Sequence, residues 1–370
     1  MYDVIVVGAG IVGSWTALHL ARAGKNTLLL EQFALPHTRG SSHGQTRAIM
    51  GFREFDLQII KAAYELWRNL EAETNEQVLV VTGRIGLGPK NSPFINDSIA
   101  QLNEAGFTFE RLGPEELRQR YPKANYSDEY EAIYEPQGGI LRAHKAVQTV
   151  QEQFKKLGGR IMDGRKVAAI VPTDEHVTIK LANGDSLQSR KTVICPGCWA
   201  SKVIPDLPSD VKLTTVGIAV TYWREKVAGQ SGVPNFSHTF GYDIYGFPSY
   251  EYPGLVKLLY HGGPEIDVEE RDRTDQKDSI KKVAAYVKEH YPGLEHDTPA
   301  IVESCMYTWT VDERPVLDIH PSHPNLILGF GFSGDGFKYS PVSGKILASL
   351  AMGTQKQLPF NLDQFRINRF

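Results

Sequence analysis

The order of apolar and polar residues at the start of the chain predicts one βαβ unit. Residues 3–8, DVIVVG, are a short apolar run with β-branched side chains, which is typical of a strand buried on both faces. A helical pattern follows and stops at Gly24, and residues 26–31, NTLLLE, predict a second buried strand that ends at Glu31. Because parallel strands joined by one helix form a right-handed crossover, this opening is typical of a doubly wound α/β domain.

The same periodicities predict further elements along the chain. Helices are predicted over 94–105, 142–157 and 278–290. Strands are predicted over 164–172, 176–195 with a hairpin turn at Asn183-Gly184, 215–223 and 255–260. The stretch 265–278, EIDVEERDRTDQKD, is interpreted as a solvated, charged loop. No repeat or low-complexity linker separates these segments, so the domains are expected to interleave in sequence.

The turn between the first strand and the first helix has the pattern G-x-G-x-x-G. Its glycines permit a tight turn, close approach of a pyrophosphate and close packing of helix on strand. Glu31 lies at the end of the second strand, where a carboxylate can accept hydrogen bonds from the ribose hydroxyls of a dinucleotide. The same carboxylate would repel a 2′-phosphate, which disfavours NADP. The motif alone does not decide between FAD and NAD. The predicted nucleotide-binding residues are Gly8, Gly10, Ile11, Val12, Gly13, Glu31 and Gln32.

Composition and charge narrow the class of protein. The 370 residues carry 40 basic and 43 acidic side chains, a formal net charge of −3, which argues against a nucleic-acid binder. No run approaches the roughly 18 apolar residues of a membrane span, and the first residues show no export signal. Three cysteines give no disulfide framework, which favours a reducing compartment. A cytoplasmic, two-domain protein that binds neither nucleic acid nor membrane is expected.

Two other segments favour a flavin. The loop after Glu31, QFALPHTRGSSHGQTR, is dense in hydrogen-bonding residues and has no apolar period, which suits a flavin better than a nicotinamide. Near the other end, GFGFSGDGFK over 329–338 alternates glycine with other residues, which indicates close approach of the backbone to a ligand.

Taken together, these segments resemble the monomeric sarcosine oxidase family of flavoenzymes, and most closely its peroxisomal sarcosine/L-pipecolate oxidase branch. The resemblance extends over essentially the whole chain. It is carried by LLLEQFALPHTRGSSHGQTR, TYWRE at 221–225, EYPGLVKLLYHGG at 251–263, ESCMYT at 303–308, GFSGDGFKYSPVSGKIL at 331–347 and FRINRF at 365–370. It implies a FAD-binding doubly wound, Rossmann-like domain of discontinuous segments and a largely antiparallel substrate domain. The expected segments are 1–85, 140–210 and 300–370 for the former, and 86–139 and 211–299 for the latter.

The resemblance also implies roles for individual residues. Cys305 would hold FAD covalently through its sulfur and the flavin 8α-methyl carbon, and Lys257 would promote the reduction of oxygen. Tyr245, His261 and Tyr307 would line the substrate cavity, and Lys338 would pair with the substrate carboxylate. Further flavin-side residues are implied at Ser42, His43, Thr46, Arg47, Val167, Trp199, Met306, Gly334, Gly336, Phe337 and Lys338. No metal site is expected.

Two positions depart from the family pattern at the carboxylate site. Members that oxidise small secondary amino acids usually have a second arginine where this chain has Met50, and a histidine where it has Asp335. A guanidinium binds a carboxylate in a stronger and more directional way than an ammonium alone. Both changes should weaken the binding of simple amino acids, although Arg53 is a possible substitute. They favour a substrate with a different polar group, either cationic or bulky.

Cys195 and Cys198 form a C-x-x-C pattern that admits a redox or zinc interpretation. Zinc needs four ligands and no second pair exists, which disfavours the zinc interpretation. The resemblance implies that both cysteines fill a turn close to the flavin. The chain ends Asn368-Arg369-Phe370, which does not support peroxisomal import through a serine-lysine-leucine type of signal, although the family permits that compartment.

The predicted function is that of a FAD-dependent oxidase of a secondary or N-substituted amino acid. It would release an imine and hydrogen peroxide and act as a monomer on a small amine and molecular oxygen. An oxidase of another amine, such as a fructosyl amino acid, saccharopine or an N-methylated amino acid, is the first alternative. A flavin-binding sensor or scaffold is the alternative from another class, and an NAD-dependent dehydrogenase is a weaker third.

Overall fold

The computed structural model describes residues 1–51 and 57–370, so Arg53 lies outside the described residues. The helices are α1 (Ile11–Arg22), α2 (Leu57–Thr74), α3 (Pro93–Ala105), α4 (Pro114–Arg120), α5 (Ala143–Lys156), α6 (Ala200–Val203), α7 (Lys277–His290) and α8 (Gly336–Met352). The strands are β1 (Tyr2–Val7), β2 (Thr27–Leu30), β3 (Thr46–Ile49), β4 (Leu79–Val81), β5 (Arg84–Pro89), β6 (Glu110–Leu112), β7 (Tyr130–Glu135), β8 (Gly139–Arg142), β9 (Arg160–Met162), β10 (Val167–Pro172), β11 (Val177–Leu181), β12 (Ser186–Ile194), β13 (Thr214–Arg224), β14 (Phe236–His238), β15 (Ile244–Tyr252), β16 (Leu255–Tyr260), β17 (Ile301–Trp309), β18 (Val316–Ile319) and β19 (Leu326–Phe330).

The first sheet confirms the predicted doubly wound α/β fold. β1 lies between β2 and β12 and pairs with both in parallel, and β9 and β19 extend the parallel part on either side. β10 and β11 add an antiparallel meander on β12, joined by the predicted Asn183-Gly184 turn, in which Gly184 has φ +92°. β2 and β19 are buried along their whole length, and α1, α5 and α8 pack against this sheet.

The second sheet places the residues of the candidate site. Its order is β17-β13-β16-β15-β14-β5-β7-β6, and all its pairs are antiparallel except β14 with β5. Strands β3, β8 and β4 pair with one another in the order β3-β8-β4 and form a separate, three-stranded sheet. The predicted domain segments stay a prediction, and β17, which follows residue 300, is hydrogen-bonded to β13 of the second sheet.

The prediction of a solvated, charged loop at 265–278 is correct for most of its side chains, which are exposed, but not for all of them. Residues 268–273 form a 3-10 turn in which Val268 and Arg271 are buried. The Arg271 guanidinium donates to the carbonyls of Thr38 and Arg39, so it anchors the polar loop that follows β2. The sequence does not predict this role, because Arg271 is one of many charged residues in the segment and no periodic pattern distinguishes a single buried arginine from its exposed neighbours.

Helix α8 was not predicted, although its first residues were singled out as a glycine-rich segment. Pro341 lies inside α8, and a proline disfavours a helix because it has no backbone N–H to donate to the preceding turn. Tertiary packing overrides this, because α8 is buried over most of its length against α1 and α2. Among the residues that the structure describes, no helix has the length and apolar character needed to cross a membrane.

Candidate active site

The glycine turn after β1 has the backbone geometry that a dinucleotide phosphate site requires. Gly8 has φ +99°, and a Cβ there would lie 2.2 Å from the carbonyl oxygen of Cys195. A Cβ on Gly13 would lie 1.9 Å from the carbonyl oxygen of Gly8, so helix and strand pack too closely for a side chain. Gly10 caps α1 without a side-chain hydrogen bond, which leaves a helix N-terminus of amide donors at this turn.

Glu31 lies against this turn, at the end of β2. Its carboxylate is 7% exposed and accepts from the amide of Ala9 at 2.9 Å and from that of Phe33 at 3.1 Å. Ser42 accepts from the amide of Ile11 through Oγ at 3.0 Å, so the polar loop folds back onto the start of α1. Gln32 lies beside Glu31 and is half-buried. The turn therefore combines the close-packed glycines and backbone amide donors of a phosphate site with a carboxylate that can accept from ribose hydroxyls.

A cavity opens between β3, the second sheet and the start of α8. Eleven of the residues predicted for the flavin or the substrate line it: His43, Thr46, Arg47, Tyr245, Lys257, His261, Cys305, Tyr307, Gly334, Phe337 and Lys338. These residues come from five separate parts of the chain. The predicted catalytic residues and the flavin-side residues therefore share one cavity.

Cys305 lies near the middle of β17, opposite Ile218 of β13, and its side chain faces the cavity. The thiol is buried, and its Sγ is 4.0 Å from the carbonyl oxygen of Ser41. Ser41 donates to the carbonyl of Met306 at 2.8 Å, which ties the polar loop to β17. A strand residue held in this way presents its sulfur from a rigid position.

Arg47 organises the loop that precedes it. Its guanidinium donates to the carbonyls of Thr46, Ser41 and His43 at 2.6–2.8 Å and lies 5.7 Å from the Phe337 ring centre. His43 contacts the carbonyl of Ser304 at 3.0 Å. Burial, with Arg47 nearby, lowers the pKa of His43 to about 3, so its imidazole is neutral. Arg47 therefore provides the positive charge that this loop presents to the cavity.

Three aromatic side chains form one wall of the cavity. The hydroxyls of Tyr245 and Tyr307 are 2.6 Å apart, and the His261 ring centre is 5.3 Å from that of Tyr307. Burial raises the pKa of Tyr245 to about 12 and that of Tyr307 well above its usual value, so both phenols stay protonated. Gly334 packs against this wall, since a Cβ there would lie 2.8 Å from His261.

Lys257 belongs to a buried network that sequence reasoning missed. It is 4% exposed, and Nζ lies 2.9 Å from Glu251 Oε1 and 3.2 Å from Thr46 Oγ1. The hydroxyl of Tyr222 donates to Glu251 at 2.6 Å and lies 3.2 Å from Glu303, which lines the cavity. The network thus runs from Lys257 to a second carboxylate.

The charges in this network are set by opposing effects. Burial lowers the pKa of Lys257, and the Glu251 carboxylate opposes that shift. Burial raises the pKa of Glu251, but the charge of Lys257 and hydrogen bonds from Thr46, Tyr222 and Lys257 outweigh it and hold that pKa below its usual value. Glu251 is therefore an anion that keeps a cation at Lys257 in a buried place.

Lys338 and Asp335 lie at the start of α8, and Nζ of Lys338 donates to Asp335 Oδ1. Both side chains are buried and both line the cavity. Met50 lines the same cavity and is 4% exposed. The two departures from the family pattern therefore meet at one site, where a neighbouring anion reduces the positive charge at Lys338.

Besides Ser42 and the residues of the nucleotide turn, four predicted flavin-side residues lie outside the cavity lining. Met306 and Trp199 pack together in an apolar cluster with Val268, and the Trp199 indole donates to Glu269 at 3.0 Å. Gly336 begins α8, where a Cβ would lie 2.7 Å from Phe332. Val167 begins β10 at the edge of the first sheet. Their cofactor-binding roles stay predictions.

Cys195 directly follows β12, and Cys198 lies within the short 3-10 turn Gly197–Trp199 that comes next. Both are free thiols and buried, and burial raises the pKa of Cys195 to about 12 and that of Cys198 to about 11. Such thiols are unreactive near neutral pH. In residues 1–51 and 57–370 no group of histidine, cysteine or carboxylate side chains is arranged to hold a metal ion.

Sequence reasoning also missed Arg84, Ser237 and Glu135. Arg84 and Ser237 line the cavity, and Arg84 donates from Nη1 to Ser237 Oγ at 3.1 Å. Glu135 is fully buried opposite Arg84 on β7, and accepts from the amide of Gly51 at 2.6 Å. No motif marks these residues, because three strands distant in sequence bring them together.

We expect Glu135→Gln to reduce the dependence of stability on pH. Burial raises the pKa of Glu135 to about 7, although the Gly51 amide and the charge of Arg84 partly oppose this shift. Between pH 4.5, the ordinary pKa of a glutamate, and pH 7, the folded state therefore keeps a proton that the unfolded state loses. The stability from this proton is complete below pH 4.5 and is lost as the pH rises through 7, a loss of about 3 kcal/mol for a shift of this size.

Thermal unfolding of the native protein and of E135Q at pH 5 and pH 8 measures this effect. The change in melting temperature between the two pH values should be smaller for E135Q. The exposed neighbour Glu129 supplies the matched control, E129Q, which should behave as the native protein does. An equal pH dependence in E135Q would contradict the assignment.

Comparison with known proteins adds relatives over the whole chain. Residues 3–350 match the family described as FAD dependent oxidoreductase (DAO). The chain is 41% identical to the peroxisomal sarcosine oxidase of Mus musculus, covering 100% of this chain and 96% of that protein. It is 33% identical to the monomeric sarcosine oxidase of Bacillus sp. (strain B-0618), with 100% and 96% covered. The open form of NikD, an unusual amino acid oxidase essential for nikkomycin biosynthesis, has the same fold, with a TM-score of 0.84 at 19% identity over 99% of this chain and 97% of that one.

Proposed function

The chain belongs to the family of FAD dependent oxidoreductases, and from that premise we propose the roles of its residues in the oxidation of a secondary or N-substituted amino acid. It is an oxidoreductase of the CH–NH group of its donor, as its relatives indicate. The observation that carries the assignment of roles is the single cavity that contains Lys257, Cys305, the aromatic wall and Lys338.

The residues present suit FAD. The glycine turn, the helix N-terminus and Glu31 provide the donors and the carboxylate of a dinucleotide site, and the cavity with Arg47, Thr46 and Cys305 continues from the same polar loop. When bound, FAD supplies two-electron oxidation of the substrate carbon–nitrogen bond and passes the electrons to oxygen, giving an imine and hydrogen peroxide. We assign Cys305 as the point of covalent attachment, since its thiol is the cysteine that lines the cavity in the described chain.

The remaining residues bind and orient the substrate. The aromatic wall of Tyr245, Tyr307 and His261 would hold the amine through apolar and cation–π contacts. Because both phenols stay protonated, they act as neutral hydrogen-bonding groups. Lys338 would attract the carboxylate, and Lys257 would provide the positive charge that favours the reduction of oxygen. The imine would hydrolyse, or persist if it is cyclic.

The assembly and the compartment are also proposed. We infer a monomer, since the chain spans almost the full length of a relative that is itself named monomeric. The three cysteines are free and buried, which suits a reducing compartment such as the cytoplasm. Sedimentation of the purified protein at several concentrations tests the monomer.

Anaerobic mixing with sarcosine and with L-pipecolate tests the function. We expect one of them to bleach the absorbance of the bound flavin, and air to restore it with release of hydrogen peroxide. A yellow protein that neither amine bleaches would overturn the sarcosine/pipecolate assignment. The search would then turn to larger N-substituted amino acids, which Met50 and the Lys338–Asp335 pair favour. A protein that no such amine reduces would be the sensor or scaffold.

We expect the double substitution Met50→Arg with Asp335→His to lower KM for sarcosine and L-pipecolate. The first change adds a guanidinium to the cavity, and the second removes the anion paired with Lys338. A gained charge-assisted hydrogen bond to the carboxylate corresponds to about tenfold or more in affinity. Steady-state kinetics of the native enzyme, both single variants and the double variant measure the gain. An unchanged KM in all three would contradict the idea that these two positions set substrate choice.

A further inference from the structure

A series of four hydrogen-bonded side chains connects two points of the cavity wall. Lys257 and Glu303 both line the cavity, and Glu251 and Tyr222 join them without lining it themselves. Nζ of Lys257 donates to Glu251 Oε1 at 2.9 Å. The Tyr222 hydroxyl lies 2.6 Å from Glu251 Oε2 and 3.2 Å from Glu303 Oε2. The series is therefore unbroken from one end to the other, and the roles proposed above do not require its last two members.

Strand register explains why these residues meet. Tyr222 of β13 is the register partner of Lys257 on β16 and of Ile301 on β17. Glu303 follows Ile301 by two residues, so its side chain points to the same face of the sheet. Tyr222 is fully buried and the side chains of Lys257 and Glu251 are buried, whereas Glu303 is half-buried. Glu303 is therefore the end of the series that is open to solvent.

The Tyr222 hydroxyl has one proton and two carboxylate neighbours. A phenol donates to only one of them at a time, and its oxygen can accept from the other. Burial, with the charges of Glu251 and Glu303, raises the pKa of Tyr222 far above its usual value, so the hydroxyl keeps a proton. Such a phenol can take a proton from one carboxyl group while it gives its own proton to the other.

The charge of Lys257 determines whether Glu251 takes up a proton. Burial raises the pKa of Glu251, and the charge of Lys257 is foremost among the interactions that lower it. If Lys257 loses its proton, that charge disappears while the burial remains, so Glu251 becomes a proton acceptor. Burial also lowers the pKa of Lys257, against the opposing charge of Glu251, which makes its ammonium a better proton donor than an exposed lysine. Loss of a proton from Lys257 therefore draws a replacement through Glu251.

We propose that Glu303, Tyr222 and Glu251 conduct protons from solvent to the lysine at the buried end of the series. This inference rests on the proposed function, in which oxygen gains two electrons and two protons to form hydrogen peroxide. Oxidation of the CH–NH group to an imine releases the same numbers of electrons and protons, so the overall reaction takes no net proton from solvent.

The steps of the path balance in the following way. Lys257 gives one N–H proton to the oxygen as it is reduced, and becomes a neutral amine. Glu251 passes a proton to Nζ as Tyr222 passes its hydroxyl proton to Glu251. Glu303 then passes a proton from solvent to the Tyr222 oxygen. One proton moves from solvent to Nζ, no electrons move along the path, and the two carboxylates and the phenol return to their first state.

Hydrogen exchange of the Lys257 ammonium in the resting, oxidised holoenzyme tests the path without turnover. NMR of protein labelled with ¹⁵N in its lysines follows the exchange with solvent, and K257M identifies the signal. Tyr222→Phe should slow this exchange by about tenfold or more, because it removes the hydroxyl that both carboxylates contact. The variant keeps the ring, which lies 5.7 Å from Nζ.

Tyr252 provides the matched control. Its hydroxyl lies 3.2 Å from Glu303 Oε1, and its ring centre lies 5.0 Å from that of Tyr222. It therefore contacts the same carboxylate from beside the path. Tyr252→Phe should leave the exchange at the native rate. Glu303→Ala should slow it as Y222F does, and added formate should restore part of the rate, because a small carboxylic acid can replace the missing group.

Kinetics separate a proton path from a structural contact. The flavin of Y222F is reduced with one equivalent of dithionite, which makes the experiment independent of the amine. The first reaction with oxygen should stay within about threefold of the native rate, because Lys257 begins with its proton. Repeated turnover with an amine that reduces the flavin should be slower by about tenfold or more, because each cycle needs a new proton at Nζ. Equal slowing of the first reaction and of repeated turnover would mean that Tyr222 only supports the ion pair, and would overturn the path.

The exchange experiment distinguishes failure of this inference from failure of the proposed function. Native exchange at Lys257 in both Y222F and E303A, or equal slowing in Y222F and Y252F, would overturn the path even if sarcosine bleaches the flavin. Slower exchange in Y222F alone of the two tyrosine variants would support the path even if neither amine bleaches the flavin, and the sarcosine/pipecolate assignment would then be lost. If Y222F does not fold, E303A with and without formate carries the same comparison.

Discussion

Replacing Lys257 with methionine is expected to slow the reaction of the reduced enzyme with oxygen by about 10²- to 10³-fold, the usual effect of removing one preorganised electrostatic group from a buried site. The side chain is 4% exposed, and Glu251 holds its ammonium in place at 2.9 Å. Negative charge develops on oxygen as it accepts an electron. A cation fixed beforehand in a place of low dielectric stabilises that charge without reorganisation.

Stopped-flow experiments separate the two halves of the reaction. Anaerobic reduction by substrate should stay within about threefold of the native rate in K257M, since Lys257 acts by its charge on the oxygen step. Lys202, an exposed lysine paired with Asp267, provides the control K202M, which should alter neither half. Equal slowing of both halves in K257M would mean that the lysine supports the structure of the cavity, and would contradict its assignment to oxygen.

Local motifs let the sequence predict the nucleotide end of the site. The glycines of the first turn and Glu31 lie within one βαβ unit, so their spacing along the chain fixes their spacing in space. The predicted strand around Lys257 is also confirmed, since strand periodicity indicates which residues share a face. These parts depend on short-range rules. The strand that carries Cys305 was not predicted.

The partners of those residues depend on register between distant strands, which the sequence does not reveal. Glu251 approaches Lys257 because β15 and β16 are shifted by an irregularity between Phe247 and Tyr252. Arg84 meets Ser237 across 153 residues of chain. In the sequence Arg271 is one of many charged residues, but in the structure it is buried and its guanidinium donates to the polar loop that follows β2. Each case is a pairing that only tertiary structure decides.

Replacing Cys305 with serine is expected to abolish covalent attachment of the flavin. In the native protein, flavin should remain with the precipitate after denaturation in acid, whereas C305S should release all of it to the supernatant. The reason is chemical: a hydroxyl of similar size has no thiolate nucleophile with which to form a thioether. Absorbance of the supernatant and the mass of the intact protein measure the result.

Cys198 provides the matched control for this experiment. It is buried in the turn after β12, its Sγ lies 3.3 Å from Ser41 Oγ, and Ser41 also contacts β17 through the Met306 carbonyl. The two thiols therefore share a neighbour, but only Cys305 of the two lines the cavity in the described chain. C198S should keep its flavin in the precipitate. If C198S released the flavin and C305S retained it, the attachment point would be Cys198, and if both retained it neither thiol would be the tether. Release from the native protein itself would mean that FAD is held by the glycine turn, Glu31 and the cavity alone.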